Sequence, residues 1–153
     1  MSTRTGIGYD SHRFAGEGPV ILGGVEVPHA HRLDGHSDAD VLAHAITDAV
    51  LGAAGLGDIG THFPPSDDRW RDADSVELLR TAVAMVSGFV VNIDATVICE
   101  EPRLGEHRAE MERVLSEAVG APVSVKATTN EGMGWIGRGE GIACLAVASV
   151  DID

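Results

Sequence analysis

Glu106-His-Arg-Ala-Glu-Met-Glu-Arg-Val-Leu-Ser-Glu-Ala-Val-Gly-Ala-Pro-Val-Ser-Val-Lys-Ala-Thr128 decides the fold class. In its first part Met111, Val114, Leu115, Ala118 and Val119 recur at the i, i+3, i+4, i+7, i+8 spacing of a helix with one buried face. Gly120 and Pro122 stop that helix. From Val123 to Thr128 the period falls to two, the alternation of a strand. One short stretch therefore carries a helix, its stop and a strand.

Outward from it, Phe89 to Cys99 alternates polar Asn92, Asp94 and Thr96 with apolar Ile93, Ala95 and Val97, as a strand does. Gly141 to Val150 is a mostly apolar strand, expected to be buried on both faces. A helix is expected over about 75–87, ended by Gly88. Another starts at Ser37, where Ser37 as N-cap and Asp40 three residues on suggest a capping box, and Gly52, Gly55 and Gly57 end it. Residues 5–14 form a strand with Ile7 and Tyr9 on one face and Asp10 and His12 on the other, and 20–27 form a hairpin turning at Gly23-Gly24. The loop over about 58–73 holds Pro64-Pro65 and four Asp residues, and a loop of that length is commonly functional. The sum is an α/β (α+β) two-layer sandwich: a mixed four-stranded sheet covered on one face by helices, plus a small N-terminal hairpin. No linker interrupts it, so 1–153 reads as a single domain.

Composition narrows the partners. With 24 acidic and 11 basic side chains the net charge is −13, which argues against nucleic acid and anionic membranes as partners. No apolar run reaches the roughly 20 residues of a membrane span, and no secretory signal is visible at the N-terminus. Aromatics are only 4%, so the core must come from Val, Leu, Ile and Ala. Cys99 and Cys144 lie inside strand patterns and read as small core residues of a cytoplasmic protein.

Three clusters could carry chemistry. Asp10 and His12 share a strand face, as a divalent cation requires, although a surface pair has the same spacing. His44 could complete a two-nitrogen, one-oxygen zinc site with them, with Asp40 or Asp48, one helical turn away on either side, orienting its imidazole. A solvated polar helix face accounts for the same residues. His36, just before the expected helix N-terminus, suits phosphate. The third cluster is Lys126 to Glu131, followed by a loop with glycines at 132, 134, 137, 139 and 141 around Arg138. Its hydroxyls and Arg138 suit phosphate oxygens and Glu131 suits a hard cation, but a flexible hairpin connection would look alike. The same residues would also serve a zinc phosphoesterase or a non-catalytic metal or prenyl-phosphate binding module.

Taken together, Gly8-Tyr-Asp-Ser-His12, Ile21-Leu-Gly-Gly-Val25, His36-Ser-Asp-Ala-Asp-Val41 with His44, Gly57-Asp-Ile-Gly60 with Phe63-Pro64, Val125-Lys-Ala-Thr-Thr129 and Gly137-Arg-Gly-Glu-Gly-Ile-Ala143 resemble the 2-C-methyl-D-erythritol 2,4-cyclodiphosphate synthase family of the non-mevalonate isoprenoid pathway. The resemblance covers nearly the whole chain. It implies a reaction in which a 2-phosphate attacks the β-phosphorus of a cytidine diphosphate ester and CMP leaves.

In the matching positions, Asp10, His12 and His44 would bind Zn2+, and Glu131 would hold Mg2+ or Mn2+ with the substrate phosphates. His36 and Thr129 would act as catalytic residues, and Ser37 would hold phosphate at the helix start. Substrate contacts are implied at Ser11, at Asp58, Ile59 and Gly60, and at Phe63, Pro64, Pro65, Ser66 and Asp67. They are further implied at Cys99, Glu100, Glu101, Pro102, Arg103, Leu104 and Gly105, which would read cytosine, and at Thr128, Asn130, Trp135 and Arg138. The family is a homotrimer with active sites between subunits. An axial apolar cavity there can hold an isoprenoid diphosphate, with Tyr9, Trp135, Arg138 and Glu140 mapping to its lining and mouth. The chain departs from the family at Asn130, where Thr is common, at Trp135, where Phe is common, and in the extra acids Glu100 and Glu101.

Overall fold

A computed structural model describes residues 1–153. Seven strands and five helices follow in the order β1 (Ser2–Ala15), β2 (Val20–Leu22), β3 (Val25–Val27), β4 (Arg32–Leu33), α1 (Val41–Ala53), α2 (Ile59–His62), α3 (Ser75–Ala84), β5 (Gly88–Ile98), α4 (Arg108–Val119), β6 (Val123–Thr128), α5 (Gly134–Gly137) and β7 (Gly141–Ile152). The main sheet has the order β4-β1-β7-β5-β6, and β2 and β3 form a separate hairpin. All its pairs are antiparallel except β5 and β6. That parallel pair needs a crossover, and α4 supplies it. The expected four-stranded sheet is thus extended by a fifth strand of only two residues, β4, too short to leave a periodic signal. No helix is long and apolar enough to cross a membrane.

The helices cover one face. Val90, Ile93, Ala95 and Val97 of β5, and Ile142, Cys144, Ala146, Ala148 and Val150 of β7, point into a single core with Leu42, Ile46, Leu79, Met111 and Leu115. The other face of β7 is open: Leu145 and Val147 are exposed, as are Ile7 at 71% and Tyr9 at 53% on β1. The expectation that 141–150 is buried on both faces is therefore corrected. Its apolar outer residues reflect an uncovered apolar surface, not a second helical layer.

Helix α1 is the pivot. It is buried almost all round, lying between the sheet and α3. It approaches β1 closely because Gly6 and Gly8 lack side chains. Any Cβ on them would overlap the carbonyl oxygens of Ala49 and Ala45. Its start is also corrected: Asp40, not Ser37, is the N-cap, with its side chain accepting from the Ala43 N–H at 3.0 Å. Ala39 has φ 59, which lies outside helical space, so no helix can run through it from Ser37. The same Asp40 carboxylate accepts from the Gly23 and Gly24 amides at 2.9 and 2.8 Å, pinning the hairpin turn to the helix start.

Candidate metal centre and adjoining pockets

β1 and α1 bring three donors to one point. Asp10 Oδ2 lies 2.9 Å from His12 Nε2 and 3.1 Å from His44 Nδ1, and the two nitrogens are 3.3 Å apart. Tetrahedral zinc with bonds of about 2.0–2.1 Å separates its ligand atoms by roughly 3.3–3.4 Å, so this set needs little adjustment to share one ion. The far nitrogens are also fixed. His12 Nδ1 faces the Asp34 carbonyl at 2.7 Å. His44 Nε2 faces the Ser75 hydroxyl at 2.7 Å and the Ser37 hydroxyl at 3.0 Å. A proton on each far nitrogen is the tautomer that leaves the near nitrogen free to ligate a metal ion.

Charge in the triad follows from the same contacts. Burial raises the Asp10 carboxyl, but hydrogen bonds and charge from His12 and His44 outweigh it and hold it at about 2. Burial lowers His12, yet the Asp10 bond and charge leave it above the ordinary imidazole value.

The expected orienting acids are corrected. Asp40 spends its carboxylate on three backbone amides, and Asp48 accepts from Ile59 N at 2.8 Å, anchoring α2. Ser75 takes the orienting role, itself donating to Asp38. Sequence reasoning missed both residues, because Ser75 reads as an ordinary residue at a helix start. Ser37 and His36 likewise do not stand at a helix N-terminus. Ser37 faces His44 instead of an open amide cluster.

Three cavities collect the other expected residues. The first, of about 300 Å³, adjoins the triad and is lined by Asp10, His12, His36, Ser37, His44, Ile59, Gly60, Phe63, Pro65, Trp70 and Leu78. His36 Nε2 and the Trp70 indole nitrogen are buried there without a partner. Trp70 and Leu78 were not legible as site residues, and the only hint was an aromatic ring in an acidic loop. Trp70 stands edge-on to Phe63 at 5.0 Å. The second cavity, of about 370 Å³, gathers Cys99, Glu100, Glu101, Pro102, Arg103, Leu104, Thr128 and Thr129. Ser11 and Trp135 line a third, of about 740 Å³, with Glu140, whose carboxylate pairs with Arg138 at 2.6 Å. Asp58 and Asp67 are taken up in caps, on Thr61 and Arg69 respectively, while Pro64, Ser66, Gly105, Asn130 and Glu131 line none of these cavities. Both cysteines are buried, and burial pushes the Cys99 thiol up to about 11, so neither is a nucleophile.

The first and second cavities share no lining residue. Along the sheet, Ser11 aligns with Ala143, then Ile98, then Thr128. Three strand steps of about 4.8 Å put the triad's strand roughly 14 Å from the second cavity.

A helix-covered mixed sheet with an Asp-His-His donor set beside two cavities defines an α/β protein with a candidate metal site. Residues 3–151 match the model of the YgbB family. The 2-C-methyl-D-erythritol 2,4-cyclodiphosphate synthase of Rubrobacter xylanophilus is 56% identical, over 97% of this chain and 94% of that protein. The bifunctional IspDF of Campylobacter jejuni superposes with TM-score 0.93 at 39% identity, over 99% of this chain and 43% of that one. The CDP complex of Plasmodium falciparum IspF superposes with TM-score 0.85 at 31% identity, over 99% and 97%. The chain belongs to the YgbB family of 2-C-methyl-D-erythritol 2,4-cyclodiphosphate synthases.

Proposed function

We propose that this chain converts 4-diphosphocytidyl-2-C-methyl-D-erythritol 2-phosphate to 2-C-methyl-D-erythritol 2,4-cyclodiphosphate with release of CMP, as a cytoplasmic single-domain enzyme of isoprenoid precursor synthesis. The observation that carries this reading is the Asp10, His12 and His44 donor set opening into a cavity with the unpartnered His36. A 2-phosphate oxygen bonds to the β-phosphorus as the bond from that phosphorus to the CMP oxygen breaks. No water is consumed, so the residues must position and neutralise charge instead of activating a hydroxide.

Zn2+ on Asp10, His12 and His44, and Mg2+ or Mn2+ at the exposed Glu131 carboxylate, would supply Lewis-acid charge and a template for the phosphates. His36 Nε2 donates to a phosphate oxygen, which gives the buried nitrogen a partner. Thr129 donates its hydroxyl to the diphosphate. Phe63, Trp70 and Leu78 give the first cavity an apolar wall for the methylerythritol carbons. The second cavity receives cytosine through its backbone groups.

The division of these residues between separated cavities supports a homotrimer whose sites lie between subunits. The exposed Ile7, Tyr9, Leu145 and Val147 supply an apolar surface for that assembly. Around its axis, Tyr9 and Trp135 would border a cavity for an isoprenoid diphosphate, with Arg138 and Glu140 at the mouth. The test is turnover of the diphosphocytidyl 2-phosphate substrate followed by phosphorus NMR. CMP and the cyclic diphosphate are expected in equal amounts from the parent, with neither from His44→Ala. Release of inorganic phosphate without a cyclic product refutes the reading.

A further inference from the structure

The turn that carries Glu131 has an unusual internal anchor. Glu131 stands at φ 55 and Gly132 at φ 73. A side-chain-bearing residue in left-handed space persists only where its surroundings hold it. Here the holder is one carboxylate from another segment: Glu100 Oε2 accepts from Asn130 N at 2.7 Å and Glu100 Oε1 from Gly132 N at 3.2 Å. Those amides flank Glu131 on both sides. Converging backbone N–H groups of this kind form an anion-binding concavity. The chain fills it with its own carboxylate, so it is closed to a substrate phosphate. The Glu131 N–H goes to Thr129 Oγ1 at 3.2 Å, and Asn130 Nδ2 donates to Met133 O at 2.8 Å, completing the turn. The Glu131 carboxylate itself is left exposed.

We infer that Glu100 is a positioning residue: it holds the Glu131 carboxylate in place for the second cation and ties that cation to occupation of the cavity walled by 99–104. Glu100 lies in that wall between Cys99 and Glu101, while its carboxylate belongs to the cation turn. Its side chain therefore acts through Glu131, while its backbone borders the nucleotide cavity. The inference rests on the reading that Glu131 holds a cation beside a nucleoside diphosphate.

The test uses the zinc-loaded, full-length protein and measures Mn2+ binding by electron paramagnetic resonance, with and without CDP, for the parent, Glu100→Gln, Glu100→Ala and Glu131→Ala. Both Glu100 variants are expected to bind Mn2+ at least tenfold more weakly in the presence of CDP, with zinc content and melting temperature retained. Their turnover should rise with added Mn2+, with half-maximal activity moved to a higher Mn2+ concentration than in the parent. Glu100→Gln, which keeps one acceptor, should fall between the parent and Glu100→Ala. Unchanged Mn2+ affinity in both Glu100 variants while Glu131→Ala loses it overturns the positioning role and leaves the cation reading intact. Unchanged affinity in Glu131→Ala overturns both. Loss of CDP binding in the absence of Mn2+ also overturns the proposal, since Glu100 would then be a nucleotide contact.

Discussion

Replacing Gly8 by Ala tests whether the metal centre depends on how closely α1 lies against β1. A Cβ at position 8 overlaps the Ala45 carbonyl oxygen and stands 2.9 Å from both the Ala45 carbonyl carbon and Ala49 N. Unstrained carbon contacts lie at about 3.5–4.0 Å. Relieving the 2.9 Å contacts alone requires α1 to retreat roughly 0.6–1 Å, and the carbonyl overlap requires more. His44 rides on α1 one residue before Ala45, whereas Asp10 and His12 stay on β1. Zinc sites hold ligand distances to about ±0.2 Å. The retreat therefore pulls His44 Nδ1 out of a set in which it now stands 3.1 Å from Asp10 Oδ2.

Overpacking of this kind costs about 1–3 kcal/mol. At about 2–4 °C per kcal/mol for a domain of this size, the melting temperature should fall by roughly 2–12 °C. Zinc affinity, measured by competition with a chromophoric chelator, should fall at least about tenfold, or 1.4 kcal/mol. Gly52→Ala is the internal control: it lies on the same helix with nothing closer than the Ile7 carbonyl at 3.9 Å. It should retain zinc and gain up to about 1 kcal/mol from helix propensity. If Gly8→Ala binds zinc as the parent does and melts at the same temperature, close approach of strand and helix does not build the site.

Three further outcomes follow from the contacts described. Ser75→Ala removes the hydroxyl that holds His44 Nε2, so zinc affinity should drop about 10–100-fold with little change in melting of the metal-free protein; unchanged affinity would remove Ser75 from the site. Burial pushes the Asp40 carboxyl from 3.8 up to about 6, so the folded chain holds that proton more tightly than the unfolded one. Its contribution is complete below about pH 4 and is lost as pH rises through about 6, amounting to about 3 kcal/mol at most. Denaturant titrations of the metal-free protein from pH 4 to 7 should show that loss, and Asp40→Asn should flatten it. Val147→Asp places a charge on the open face of β7, and sedimentation velocity should show monomers with less than a tenth of parental turnover; an intact, active trimer would show that this face is not the interface.

Strand and helix positions were legible wherever a period ran long enough. The 111–119 stripe and the alternation over 89–99 both appear as elements, since one buried face imposes its period on the residues that fill it. The two-residue β4 was not legible, because two residues carry no period. The start of α1 was misplaced for a different reason. Ser37 and Asp40 are both good capping residues, and the backbone at Ala39 chose between them.

The sequence by itself determined the donor types and the faces they share: Asp10 and His12 alternate onto one side of a strand, and His44 lies on a helix. It also placed Glu131 beside two threonines. Only the tertiary structure decided that the three zinc-type donors meet, because that depends on two glycines admitting α1 to β1 across a gap no local pattern encodes. Likewise, only the folded chain shows Asp40 holding a hairpin, Ser75 holding His44 and Glu100 holding the Glu131 turn. Each of these polar groups takes whatever donor or acceptor the packing brings within about 3 Å, and residues far apart in the chain become neighbours only after the sheet and helices have closed on their core.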